Sequence, residues 1–195
     1  MTSRATTPDP SRDQRERYSA NGSRTRATYL ITFTCYGTRV HGDESWSVDR
    51  KHNVANTPML DAYFGRLFYE RTLMDQRAYL MDHLRRNAVL EAIIERCRQR
   101  DWDLLAAHIR SNHVHLILAA DTTPERIMND IKSCASRSLN QLGFDTPERK
   151  RWARHGSTRH LYGRKNTDAA IRYVVESQGT PMAVYRAEDL RCPER

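Results

Sequence analysis

No stretch of the chain is apolar enough, for long enough, to cross a membrane, and its first residues lack the apolar core of a secretory signal. A soluble protein of the cytoplasm, close to the nucleoid, is the expectation. Cysteine is scarce and scattered: Cys35, Cys97, Cys134 and Cys192 stand singly, with no CxxC pair. That spacing does not suggest a structural zinc site or a disulfide framework, and favours the thiols as buried small apolar residues suited to a reducing compartment. Acid is in deficit. There are 24 Asp and Glu against 32 Lys and Arg, giving a net charge of +8 and a pI near 9.6. Such a surplus favours a polyanionic partner, of which nucleic acid is the commonest. What remains is sufficient for a fold: 38% hydrophobic residues in a chain of 195 can fill one domain core.

Residues 1 to about 27 are rich in Arg, Ser, Thr, Asp and Asn, with almost nothing apolar to offset the entropy of ordering. A flexible basic arm is expected there, then a folded domain over 28–185 and a tail over 186–195. Thr28 to Tyr36 is dominated by β-branched and aromatic residues, as in a strand, and Gly37 ends it. Val40–Trp46 reads as a polar loop, and Met59 to about Met81 as mostly helical. Val89, Leu90, Ile93, Ile94 and Cys97 recur at helical spacing. Asp103–Ile109 and His113–Ala119 read as a hairpin around Arg110-Ser111-Asn112. Thr123-Pro124 opens a helix that buries Ile127, Ile131, Ala135 and Leu139, turns Lys132 and Arg137 elsewhere, and stops at Gly143. A further strand is expected within 148–163, then a helix over Asp168–Gln178 with Thr167 as its cap. The order predicts an α+β fold of ferredoxin-like type, an antiparallel sheet with helices packed on one face.

Two features carry chemistry. In Asn112-His113-Val114-His115, residues two apart on a strand face the same side, so the two imidazoles project together while Val114, Leu116 and Leu118 face the helices. Paired neutral imidazoles can hold one divalent transition metal ion, though two half-exposed strand histidines would read the same way. Residues 145–165 mix cations with rings: Arg149, Lys150, Arg151, Arg154, Arg159, Arg164 and Lys165 alternate with Trp152, His155, His160 and Tyr162. Cations that neutralise phosphates beside rings that stack bases suit a single-stranded nucleic acid, and Lys132 joins this candidate set.

With these motifs in view, the chain resembles the single-tyrosine HUH transposases, and among them the REP-associated tyrosine transposases. The likeness rests on the opening strand with Tyr36-Gly37-Thr38 and His41-Gly42-Asp43, on Leu105 to His115 as a strand pair ending in the HUH motif, and on Ile171 to Gln178 as a nucleophile helix. It implies a ferredoxin-like fold related to the RNA-recognition type of sheet, and a divalent metal, Mg²⁺ or Mn²⁺, held by His113, His115 and a polar residue of the tyrosine helix. It also implies Tyr173 as nucleophile, a choice the other tyrosines, Tyr162 and Tyr185 among them, leave open without it. The implied substrate is single-stranded DNA beside a DNA hairpin, and relatives include monomers and homodimers that share the tyrosine helix. One departure stands out. The family's third ligand, Gln or Asn, lies four residues after the tyrosine, where this chain has Ser177. Gln178 at plus five and Glu176 at plus three are rival replacements; plus three shares the tyrosine's side of a helix better, and unwinding near Gly179 would favour Gln178.

The reaction so implied is phosphodiester transfer: a phenol, ordinarily ionising near 10, attacks a phosphate whose charge the metal neutralises. A 5′-phosphotyrosine link and a free 3′-OH result. The competing readings are a module that binds single-stranded DNA or RNA with no chemistry, which would need none of His113, His115 and Tyr173, and a hydrolase that forms no covalent link.

Overall fold

The computed structural model describes residues 26–38, 72 and 74–187. The chain runs β1 (Ala27–Cys35), α1 (His83–Gln99), β2 (Asp103–Ile109), β3 (His113–Ala120), α2 (Pro124–Gln141), β4 (Trp152–Leu161), α3 (Gly163–Glu176) and β5 (Ala183–Arg186). The five strands form one sheet in the order β4-β1-β3-β2-β5, every pairing antiparallel. The first six elements are the βαββαβ succession of a ferredoxin-like fold. The basic arm up to residue 25, the Val40–Trp46 loop and the tail beyond 187 lie outside the described residues.

Alternation along the strands, reset in β2 by an irregularity between Leu104 and Ala106, divides the sheet into two unequal faces. On one, Tyr29, Ile31, Phe33 and Cys35 of β1 meet Val114, Leu116 and Leu118 of β3, and Leu104, Ala107 and Ile109 of β2. α1 and α2 seal this face with Val89, Leu90, Ile93 and Cys97, and with Ile127, Ile131, Ala135 and Leu139. Asp82 caps α1 by accepting the Arg85 N–H at 2.9 Å, and Pro124 opens α2, where its missing N–H would have no helical partner. The two long helices thus share one face as expected. The third does not: α3 lies across the opposite face, where Val174, Ala170, Ile171 and Val175 pack on Ala106, Ile117, Leu161 and Leu30. This smaller cluster covers only part of that face.

Three local expectations are corrected. Of the helix expected over 59–81, residues 59–71 are not described, and Met74–Met81 is not helical. Tyr79 and Met81 are buried while Leu80 between them is exposed, a two-residue period that belongs to extended chain. The Tyr79 N–H donates to the Tyr36 carbonyl at 2.9 Å and the Met81 N–H to the Ser111 carbonyl at 2.7 Å. The last helix begins at Gly163 with Tyr162 as its cap, and Thr167 sits inside it, its hydroxyl donating back to the Gly163 carbonyl at 3.2 Å. β5, a four-residue edge strand, was not anticipated; so short a segment carries too few residues to show a period.

Candidate active site

The half-covered face carries the candidate site because register gathers its residues there. Thr32 of β1 pairs with His115 of β3, and His115 with His108 of β2, so the three side chains lie in one row across the sheet. Thr34 pairs with His113 in the adjacent row, and the Arg110 N–H donates to the His113 carbonyl across the Ser111-Asn112 turn at 2.9 Å. The imidazoles of His113 and His115 stand with ring centroids 4.8 Å apart, edge to face. Each is oriented through Nδ1. His113 Nδ1 is 2.7 Å from Asn112 Oδ1, and His115 Nδ1 is 2.8 Å from Thr32 Oγ1. A proton on Nδ1 in each ring would leave the lone pair on Nε2, the arrangement of a ligating histidine steadied from behind. Burial, reinforced by the charges of His113, His108 and Arg110, lowers the His115 pKa to about 4, so the ring is neutral at pH 7.

α3 brings Tyr173 to the same pair. Its ring lies 6.1 Å from that of His115, at 75°, in the same chain, and it is 48% exposed, open to a large substrate. Val174, the next residue, is fully buried against the sheet, which fixes the rotation of the helix. The helix stops at Glu176; Ser177 caps it, its N–H donating to the Tyr173 carbonyl at 3.2 Å. Gln178 therefore leaves the helical path. Its Nε2 donates to the Tyr173 carbonyl at 3.3 Å, and its amide stands close enough to His115 to favour the protonated ring. Glu176 points the other way, its carboxylate 3.7 Å from the Arg186 guanidinium on the β5 edge. Of the two rivals left open by spacing, Gln178 borders His115, and Glu176 pairs with Arg186.

Among the described residues no three His, Cys, Asp or Glu side chains converge, and the Gln178 amide is a polar side chain found beside His115. Two neutral imidazoles and an amide oxygen fit Mn²⁺ well, and Mg²⁺ if water supplies the other oxygens.

The basic stretch separates into two parts. Lys132 is 8% exposed, its ammonium donating to the Ala153 and His155 carbonyls at 2.9 and 3.1 Å, over the Phe33 ring. Arg151 is 4% exposed and bonded to Asp145, Asn140 and the Thr146 carbonyl. Trp152 packs edge-on against Phe33, its Nε1–H donating to the Lys132 carbonyl and Ser136 Oγ. Lys132 and Arg151 are corrected from the candidate interface to the interior, and Trp152 to a half-buried place against the core; each donates to part-buried oxygens, which a period-based reading of exposure does not reveal. Arg149 holds Gln76 and the Arg77 and Ala78 carbonyls, and Lys150 pairs with Asp75, so both tie the segment leading into β4 to residues 75–78. Arg154, Arg159, Tyr162, Arg164 and Lys165 are exposed. Arg159, opposite Leu30, shares the face of the histidines. Tyr162 stacks on His160 at 5.9 Å and 15°.

Residues 72–176 match the model of the family described as "Transposase IS200 like". The chain belongs to this family. Two solved structures are similar to this IS200-like transposase in fold. One is a REP-associated tyrosine transposase bound to a REP hairpin, 13% identical, covering 77% of this chain and 66% of its own, with a TM-score of 0.43. The present chain therefore spans just under two thirds of that relative's length. The other is a protein from Deinococcus radiodurans R1 named as a transposase, 12% identical, covering 82% of this chain and 96% of its own, with a TM-score of 0.38. No curated protein matches the chain.

Thr32, His108, Arg110 and Asn112 border the site, a role that the residue pattern assigns to none of them. Asn112 adjoins the motif and was within reach of such a reading. Thr32 and His108 were not, because they enter through strand register. A hairpin closed on Ile109 and His113 would set His108 opposite Val114, whereas the observed two-residue turn sets it opposite His115.

Proposed function

We propose that this IS200-like transposase is a metal-dependent endonuclease and strand transferase acting on single-stranded DNA beside a hairpin, through Tyr173. The observation that carries the reading is the approach of the Tyr173 ring to His115, on one face of the sheet and within one chain. Tyr173 Oη attacks the scissile phosphorus, the bond from phosphorus to the 3′-oxygen breaks, and the phenolic proton leaves the tyrosine while the 3′-oxygen gains one. The products are a 5′-phosphotyrosine and a 3′-OH. Because the link conserves the phosphodiester, another 3′-OH can attack it and expel the phenol, joining strands with no nucleotide cofactor.

His113, His115 and Gln178 would hold a divalent cation, Mn²⁺ or Mg²⁺, which when bound neutralises charge on a non-bridging phosphate oxygen. The chain's own contribution is orientation: Thr32 and Asn112 set the rings, and Val174 anchors the helix that delivers the phenol. Arg159, on the same face, and Arg154, Arg164 and Lys165 nearby in sequence would neutralise the flanking backbone. The exposed Tyr162–His160 stack would offer a ring to an unpaired base.

The test is a labelled oligonucleotide hairpin with a single-stranded flank, incubated with the protein and Mn²⁺ and resolved on a denaturing gel. A covalent adduct is expected with the native chain and none with Tyr173→Phe. An adduct that persists in Tyr173→Phe would refute the assignment of the nucleophile.

A further inference from the structure

The displaced ligand position raises a physical problem. A residue five beyond the tyrosine, if helical, would be turned away from the tyrosine's side, and Gln178 borders His115 only because the chain leaves the helix after Glu176. A loop of that kind is ordinarily a soft element, yet Gln178 would have to hold an amide oxygen still. Gly179 carries the turn in the left-handed region, at φ +73°. What fixes the ends of the turn is His108.

His108 is fully buried, and both of its nitrogens are engaged by backbone. Nδ1 lies 2.9 Å from the Val174 carbonyl, which in a longer helix would accept the N–H of residue 178 and is orphaned because the helix ends first. The Met182 N–H donates to Nε2 at 3.3 Å. A carbonyl can only accept and an amide N–H can only donate, so these partners select one tautomer, with the proton on Nδ1. One imidazole thereby bridges the last turn of α3 and the entry to β5, the two ends of the segment that carries Gln178. Arg110 adds a weaker tie, its Nη1 donating to the Thr180 carbonyl at 3.3 Å.

We infer that His108 is a positioning residue for the candidate third ligand: it staples the Ser177–Met182 loop at both ends and so presents the Gln178 amide to His113 and His115. The inference rests on the metal-site reading given above. It also gives the chain a route to an amide ligand with Ser177 at the position where the resemblance implies one.

The test is Mn²⁺ binding to the full-length chain without DNA, by titration calorimetry and by the Mn²⁺ resonance signal. The proteins are the native chain, Gln178→Ala, His108→Gln, His108→Asn, the double variant Gln178→Ala/His108→Gln, and His113→Ala. Gln keeps an acceptor for Met182 and Asn keeps a donor for Val174, so each preserves one arm of the bridge. Loss of supporting groups around a metal site commonly weakens binding about tenfold or more. Expected is a loss of about that size in Gln178→Ala and in His108→Gln or His108→Asn, with the double variant no weaker than Gln178→Ala alone, because the two act through one contact. Native affinity in both His108 variants, with Gln178→Ala weakened, overturns the inference and leaves the metal site standing. Additive losses in the double variant overturn it too. If His113→Ala binds as the native chain does, the metal reading itself falls. If neither His108 variant melts cooperatively by circular dichroism, His108 is a residue of the fold and the positioning role is refuted.

Discussion

Lys132 offers a sharp test because the two readings of it predict opposite results. As a DNA contact it should be dispensable for folding; as an interior residue it should be dispensable for DNA. The structure supports the second, and the magnitude follows from its contacts. The ammonium donates to two carbonyls of an edge strand, Ala153 at 2.9 Å and His155 at 3.1 Å, and lies 5.2 Å from the Phe33 ring centroid. Charged hydrogen bonds are worth about 1.5–3 kcal/mol each, but Lys132→Met also relieves the desolvation that lowers the pKa of this lysine. The thioether chain keeps most of the packing, and water can reach edge-strand carbonyls in part. A net loss of about 2 kcal/mol results, or roughly 4–8 °C in Tm for a chain of this size. Single-stranded DNA binding should stay within about twofold, with the slope of log affinity on log salt unchanged. Arg159→Ala should behave in reverse, with stability within about 0.5 kcal/mol and the salt slope reduced by about 0.7–0.9. Thermal melts paired with fluorescence-anisotropy titrations at several salt concentrations measure both quantities. A Lys132→Met protein that melts like the native chain but loses about one unit of salt slope would refute the interior assignment.

Other outcomes follow from the same contacts. Thr32→Val removes the hydroxyl behind the buried His115 Nδ1 and should weaken Mn²⁺ binding about tenfold while costing the apo protein about 1–2 kcal/mol, read by calorimetry and scanning fluorimetry. Glu176→Gln, which breaks only an exposed pair with Arg186, should leave both adduct formation and Mn²⁺ affinity intact; an adduct-deficient Glu176→Gln would restore this residue as a ligand. Burial would raise the Asp145 pKa, but hydrogen bonds from Tyr79 and Arg151 and the charges of Arg85 and Arg151 outweigh it and hold the carboxyl below its ordinary value. Its stabilisation is therefore complete above the ordinary carboxylate pKa and is lost as pH falls through the depressed folded value. Asp145→Asn, which leaves the buried Arg151 without its carboxylate, should cost about 3 kcal/mol at pH 7, and the gap to the native chain should close in acid in urea melts. Gly156 faces Met128 and Phe33, and a Cβ there would come within 2.5 Å of Met128 Sδ and 2.6 Å of the Thr32 carbonyl, so Gly156→Ala should lower the Tm by several degrees.

Much of this molecule is legible from residue pattern. Val89, Leu90, Ile93 and Cys97 declare α1, Thr123-Pro124 marks the start of α2, and alternation about His113 and His115 declares both the core strand and the side on which the imidazoles emerge. Pattern fails where a residue's fate is set by a partner distant in sequence. Lys132 is a cation on a polar-looking helix face, and only the edge-strand carbonyls above it make it interior. Thr32 and His108 join the site through pairing register, which no periodicity reports. Tyr79 and Met81 sit in too short an extended run to be told from a helix, and Gln178 comes beside His115 because the helix ends at Glu176, two residues before the expected end.

The alternation of β3 has a further consequence. The side chains that seal the interior and those that would grip a cation are interleaved on eight consecutive residues, so they are specified together. A one-place slip of that strand would drive two imidazoles into hydrocarbon and turn Val114 and Leu116 out to water. Correct assembly of the chemistry is thus enforced by the same pressure that drives collapse, and a mispaired chain would be penalised before it could ever meet DNA.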